Sequence, residues 1–274
     1  MTTGDKEPVI AILAEEWEAI DTLGRDLGDG EWDLPSECPG WTVRDVLSHL
    51  IGVERALLGD EAPPPLAQLP PHVANEVGAR NEAWVAPRRS QPGGDVLEEF
   101  RLVAARRLAD LRSYPQSRFD ETGPSPVGEV PYREFMKVRV MDSWVHEQDV
   151  RLALDRPGGS GGRASSISLD RVQGAMGFVV GKRAATPDGN VVRFEIAGPG
   201  DDARTFALAT EGGRARPAEA GATPTVTLGL SSIDFVRLGC GRATAGQVQA
   251  AGGIQVGGDA ALAEQILGAM NFMF

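Results

Sequence analysis

Cysteine is scarce in this 274-residue chain: only Cys38 and Cys240 occur, about two hundred positions apart. That excludes a disulfide framework and a cysteine-based zinc knuckle. Histidine is nearly as rare, with His49, His72 and His146 alone, and aromatic residues make up 6%. No apolar run approaches the roughly 18 residues that a membrane helix needs. The opening residues lack the basic-then-apolar order of a signal peptide. Positive charge is also in deficit, with 27 Lys and Arg against 39 Asp and Glu, for a formal charge of −12. Such a surface repels nucleic acid and anionic lipid, so neither is an expected partner. What is present is a globular composition, 42% hydrophobic and 24% charged, from which we expect a soluble cytoplasmic protein.

Glycine and proline cluster, most clearly in RPGGSGGRASS over residues 156–166. A tract of this composition reads as a linker. It separates residues 1–155 from residues 167–274, each an ordinary domain size. The first part carries helical periodicity. Val9, Ile10, Leu13, Trp17, Ile20, Leu23 and Leu27 mark a helix over 8–27. Thr42 is a plausible N-cap for a second helix, with Asp45 in its first turn and Val46, Leu50, Val53 and Leu57 as its seam. A short helix near 73–84, a long one over 95–113 and another over 132–154 follow. The expected architecture is a four-helix bundle. The second part changes period: residues 190–198, 205–210 and 225–230 alternate as half-buried strands do. Helical patterns at 169–182, 233–238 and 260–270 accompany them, which predicts a smaller α+β layer domain.

Two of the three histidines fall inside long predicted helices. His49 borders the inward face of the second. In the last long helix of the first part the expected seam is Phe135, Val138, Asp142, Val145, Asp149 and Leu152. Two carboxylates on an inward seam need compensation, because a buried carboxylate without a partner is costly. Asp142 and His146 are four residues apart, hence on one face and about 6 Å apart along the axis. The inference is a three-donor metal site of His49, Asp142 and His146. Zn²⁺ suits it, and Fe²⁺, Mn²⁺ or Ni²⁺ could bind the same set. Three protein ligands leave a position open, which is the catalytic arrangement. The alternative is a salt bridge between His146 and Asp142 or Asp149, with His49 a satisfied core histidine.

Other residues carry smaller expectations. Asp149 and Gln148 are candidates to orient a ligand histidine; for Asp149 the alternative is a salt bridge with Arg139 or Arg151. Arg237 and Arg242 are candidates to hold an anionic substrate, with a solvated helix charge as the alternative. Cys38 is expected to be a buried small residue, a thiol near the metal being the other reading. His72 is expected to be an exposed loop residue, and Trp41 and Trp144 core or pocket wall.

The stretch Cys38-Pro39-Gly40-Trp41-Thr42-Val43-Arg44-Asp45-Val46-Leu47-Ser48-His49-Leu50 closely resembles the start of the second helix in the mycothiol-dependent maleylpyruvate isomerase family, DinB-like helix bundles of actinobacteria. Residues 139–151, RVMDSWVHEQDVR, resemble the family's second metal motif. Asp234-Phe235-Val236-Arg237 and Gly257-Gly258-Asp259-Ala260-Ala261-Leu262-Ala263 resemble its sterol-carrier-like C-terminal domain. The resemblance implies a zinc site at His49, Asp142 and His146, whose open position receives the thiolate of mycothiol. In the isomerase itself the acid is a glutamate; Asp142 is one methylene shorter and can still ligate. Metal coordination deprotonates a thiol that is otherwise mostly neutral at pH 7. The implied chemistry is attack on a small electrophile, ending in S-transfer or, through addition and elimination, in cis–trans isomerisation. Two other classes stay open: a metal-dependent hydrolase on the same bundle, and a non-catalytic small-ligand-binding protein. A monomer or small homo-oligomer is expected.

Overall fold

The computed structural model describes residues 7–273. The stretch Met1–Lys6, where signal-peptide order was sought, lies outside them. The chain divides into two compact units, Met1–Gly159 and Ser160–Phe274. No helix among the described residues is long and apolar enough to cross a membrane.

The first unit contains α1 (Pro8–Arg25), α2 (Val43–Leu57), α3 (Glu76–Val85), α4 (Gly93–Ser113), a hairpin of β1 (Thr122–Ser125) and β2 (Gly128–Pro131), and α5 (Tyr132–Ala153). The four long helices answer to the periodicity of the sequence, and α1 and α2 each pack against both α4 and α5. Thr42 caps α2 in a capping box with Asp45: each side chain takes the other residue's backbone N–H, at 3.3 and 3.1 Å. The β1–β2 hairpin was not visible in the sequence; its four-residue strands are too short and too rich in Gly and Pro for an alternating pattern.

The expected seam of α5 is only partly right. Val145 and Asp149 are buried, but Phe135, Val138 and Asp142 are half-buried and Leu152 is exposed. The inward row is instead Met136, Val140, Ser143, Glu147 and Val150. From Ser143 to Val150 every residue is buried. Here the helix lies against α1 and α2, and Trp144 Nε1 donates to the Gly159 carbonyl at 2.7 Å. A helix covered on all sides has no side facing solvent, and here polar residues are buried with apolar ones, so apolar periodicity cannot show which way it points.

That burial leaves an acid pair inside the bundle. Glu16 of α1 and Glu147 of α5 are 5% and 1% exposed. Burial first, then the negative charge of Glu147, pushes the Glu16 carboxyl well above the usual range; Arg151, which binds Glu147 at 2.7 Å, opposes this only weakly. An acid whose folded pKa is raised contributes its full stability below the unfolded pKa and loses it as pH rises through the folded one. Glu16→Gln is therefore expected to match wild type in acid and to become progressively more stable than wild type toward neutral pH. Denaturant midpoints measured across that range check it, and a constant difference between the two proteins would contradict it.

The second unit contains α6 (Arg163–Phe178), β3 (Val191–Ala197), β4 (Arg204–Glu211), β5 (Arg214–Pro217), β6 (Val226–Ser231), α7 (Ser232–Gly239), α8 (Ala245–Ala250), β7 (Ile254–Gly258) and α9 (Ala260–Gly268). The Gly/Ser tract read as a linker over 156–166 is non-helical only as far as Gly162, which precedes α6. The strands form one sheet in the order β5-β4-β3-β6-β7, with β3 and β6 parallel and the other pairs antiparallel. Val192, Phe194 and Ile196 alternate into the core, where Phe194 stacks on Phe206 at 4.8 Å and Phe235 closes the cluster. β5, α8 and β7 were not foreseen, because each is six residues or fewer and carries little apolar periodicity.

Candidate metal centre

Pro39 and Gly40 form the centre of a tight turn, with the Trp41 N–H on the Cys38 carbonyl at 3.0 Å and Gly40 at φ 77°. A type II turn of this kind needs glycine at its third position. Here a Cβ at Gly40 would also run into the His72 ring. The turn sets Trp41 at the head of α2, with its ring 5.1 Å from His49 and 6.2 Å from His146. Trp41 is thus a wall of the site, whereas Trp144 is core. The Trp41 indole N–H donates to buried Glu82 at 3.0 Å, and Arg89 ties Glu82 to Asp45 of the capping box. His72 also meets Glu82, at 3.3 Å, so it is a half-buried bracing residue and not the exposed loop side chain expected of it.

α2 and α5 bring His49, Asp142 and His146 together. His49 Nε2 lies 3.5 Å from Asp142 Oδ2, and His146 Nε2 lies 3.9 Å from Asp142 Oδ1. The two imidazoles sit edge to face at 4.8 Å. One donor atom from each of the three residues falls within 4.8 Å of the others. Ligands of one tetrahedral zinc-sized ion at 2.0–2.1 Å stand roughly 3.3 Å apart, so donors that lie within 4.8 Å of one another would have to draw together to share a cation.

The protonation states suit donors. Burial lowers His49, and Asp142 only partly offsets it, which favours the neutral imidazole. Burial alone would raise Asp142, but Arg139, then His49 and His146, hold its carboxyl well below the usual range. Arg139 Nη1 reaches Asp142 at 2.8 Å, and its Nε reaches Glu54 at 2.7 Å. Glu54 in turn accepts from Arg107 at 3.2 Å, and Arg107 continues to Tyr132 and Asp110, each at 2.7 Å. Glu54, Arg107 and Arg139 are all buried. This chain was missed in the sequence, although a signal existed. Glu54 follows Leu50 by four, and Arg107 lies four from both Val103 and Leu111, so charged residues interrupt two apolar seams in register.

Asp149 Oδ2 lies 2.9 Å from His146 Nδ1. Gln148 does not reach the histidine: its amide donates to Glu147 at 3.3 Å, because its side chain points toward the acid pair. Cys38 is buried, and its thiol lies 3.1 Å from Asp149. Arg237 and Arg242 belong to the second unit. Arg237 pairs with Asp234 at 2.8 Å, and Arg242 donates to the Cys240 carbonyl at 3.2 Å. Among the described residues, His49 Nδ1 is buried without a hydrogen-bond partner.

Fold and site define a helical-bundle protein in which two imidazoles and a carboxylate come together, joined to an α+β unit. The family model described as the mycothiol maleylpyruvate isomerase N-terminal domain matches residues 13–151, just over half of the chain. The model of the SCP-2 sterol transfer family matches residues 180–271. The chain therefore belongs to the mycothiol maleylpyruvate isomerase family, with an SCP-2-like C-terminal domain. Uncharacterized proteins from two strains of Mycobacterium tuberculosis are 27% identical to it over 203 residues, covering 72% of this chain and 76% of theirs. The crystal structure of the mycothiol-dependent maleylpyruvate isomerase aligns with a TM-score of 0.55 at 16% identity, over 91% of this chain and 92% of that one. A histidine-to-alanine mutant of it gives 0.54 over the same shares. At that identity the likeness speaks for the fold.

Proposed function

We propose that this protein is a metal-dependent enzyme that uses mycothiol as its thiol cosubstrate and acts on a small electrophile. The observation that carries the reading is the convergence of His49, Asp142 and His146, from two helices, within 4.8 Å. A divalent cation held by these three residues, Zn²⁺ first among candidates, would supply the positive charge that deprotonates a thiol at neutral pH. The surrounding side chains prepare the donors. Asp149 accepts the Nδ1 proton of His146 and so turns the Nε2 lone pair toward Asp142. Arg139 keeps Asp142 ionised and orients its carboxylate. Trp41 lines one side of both rings. Arg237 and Arg242 are proposed as groups for a substrate anion, with Asp234 competing for Arg237. Attack by the mycothiol sulfur ends in S-transfer or, if elimination follows, in cis–trans isomerisation.

The test is elemental analysis of protein purified without added metal, followed by assays with and without mycothiol. About one equivalent of metal and product formation that requires the thiol are expected. Less than about a tenth of an equivalent, with no uptake of added zinc, overturns the reading. Turnover that needs no thiol moves it to a hydrolase, with metal-activated water as the nucleophile. Asp149→Asn keeps the shape but weakens the acceptor, and is expected to lower metal affinity about 10- to 100-fold, measured by competition with a chromogenic chelator.

A further inference from the structure

The His146 imidazole presents two ends to two sets of donors. Nε2 lies on the Asp142 side, 3.9 Å from Oδ1. Nδ1, on the opposite side of the ring, lies 2.9 Å from Asp149 Oδ2 and 3.8 Å from Cys38 Sγ. Cys38 Sγ and Asp149 Oδ2 are 3.1 Å apart, which closes a triangle of sulfur, nitrogen and oxygen. Cys38, His146 and Asp149 are 6%, 5% and 1% exposed. The backbone holds the thiol in place: the Cys38 N–H donates to Ser36 Oγ at 3.2 Å, and its carbonyl anchors the Pro39–Gly40 turn. Sulfur at ~2.3 Å and nitrogen or oxygen at ~2.0–2.1 Å from one tetrahedral ion stand roughly 3.3–3.6 Å from each other. The observed sides of 2.9, 3.1 and 3.8 Å bracket that range.

We propose that Cys38, His146 and Asp149 form a second cation site, on the far side of His146 from His49 and Asp142, that takes a thiophilic d¹⁰ cation. The sulfur ligand gives the preference, since thiolate favours soft ions over hard ones. When a dication enters, the Cys38 thiol proton leaves to solvent. The ring proton of His146 passes through solvent from Nδ1 to Nε2, and no electron moves. A neutral imidazole has one lone pair, so His146 serves one donor set at a time. Filling the Cys38 site therefore takes a donor away from His49 and Asp142 and turns an N–H toward them. The consequence is inhibition by soft metal through a residue shared between two mutually exclusive sites. The second site rests on the geometry around Cys38 and does not require that the His49 set bind a cation.

The probe is Cd²⁺ alone, added to the full chain after chelator treatment, with thiolate-to-cadmium charge-transfer absorption in the ultraviolet as the readout. The band is expected in wild type, in His49→Ala and in Cys240→Ser, and is expected to vanish in Cys38→Ser. No band in wild type, or a band that survives in Cys38→Ser, overturns the proposal and leaves Cys38 as a hydrogen-bond donor to Asp149. Loss of the band in His49→Ala also overturns it, because one ion would then need both donor sets. Should Cys38→Ser fail to fold, alkylation of wild type followed by mass spectrometry decides. Cd²⁺ is expected to slow labelling of Cys38 at least about tenfold relative to Mg²⁺ while leaving Cys240 unaffected, since only a free thiolate is nucleophilic. Equal labelling rates at Cys38 in the two ions overturn the proposal.

Discussion

His49→Ala is expected to abolish tight metal binding at the His49–Asp142–His146 set while leaving the bundle folded. His49 supplies the only donor from α2; the other two, Asp142 and His146, both stand on α5. Without it a cation would hold two ligands on a single helix, with no bridge between α2 and α5. Loss of an orienting neighbour lowers metal affinity about 10- to 100-fold, so loss of a ligand itself is expected to exceed about a hundredfold. The cost in stability is expected to be small in the metal-free protein. His49 Nδ1 already lacks a hydrogen-bond partner among the described residues, and Nε2 lies 3.5 Å from Asp142, so alanine removes few polar contacts. Isothermal titration with Zn²⁺ in a Cys38→Ser background, where no thiolate competes for the ion, read beside the melting temperature of the chelated protein, measures both quantities. His72→Ala is the control and is expected to keep the metal, because His72 contacts Glu82 and none of the three donors. Equal zinc affinity in His49→Ala and wild type would remove His49 from the site.

Glu54→Gln is expected to destabilise the first unit more than any other single change considered. One carboxylate receives two guanidinium groups, Arg139 at 2.7 Å and Arg107 at 3.2 Å, and all three residues are 4% exposed or less. Removing one partner of a buried ion pair costs about 3–5 kcal/mol, because the remaining charge has nowhere to go. Arg107 keeps Asp110 and Arg139 keeps Asp142, so the lower end of that range is the expectation. For a unit of this size the melting temperature should fall on the order of 10 °C. A shift of less than about 2 °C would mean that the guanidiniums are solvated or paired elsewhere. The change is also expected to reach the site. Arg139, freed from Glu54, no longer holds Asp142 at a fixed angle, so metal affinity should fall even at temperatures where the protein is fully folded. Glu54→Asp keeps the charge and should recover part of both effects.

Much of this molecule was legible before its structure. The four long helices, the Thr42 cap and the three core strands follow from apolar spacing and capping chemistry, which act over a few residues. The change of period from helical to alternating separated two kinds of domain. The donor set was reached from rare histidines on helices and from a carboxylate four residues before one of them. Short elements were not legible. β7 has five residues and its side chains are largely exposed, so its place beside β6 rests on backbone pairing, which leaves no trace in side-chain order.

The α5 helix separates the two kinds of knowledge. Local sequence determined that residues 132–153 are helical and that Asp142 and His146 share a face, because helix geometry is set by hydrogen bonds four residues apart. Which face turns inward was decided by its neighbours. Trp17 of α1 reaches Ser143 at 3.0 Å, Glu54 of α2 reaches Arg139, and Cys38 comes to Asp149 from a turn more than a hundred residues earlier. Side-chain identities named the chemistry available to this chain, whereas the distances that bring the His49 imidazole and the Cys38 thiol to the donors of α5 exist only after separate helices and a glycine turn have packed, since no local hydrogen bond joins them to α5.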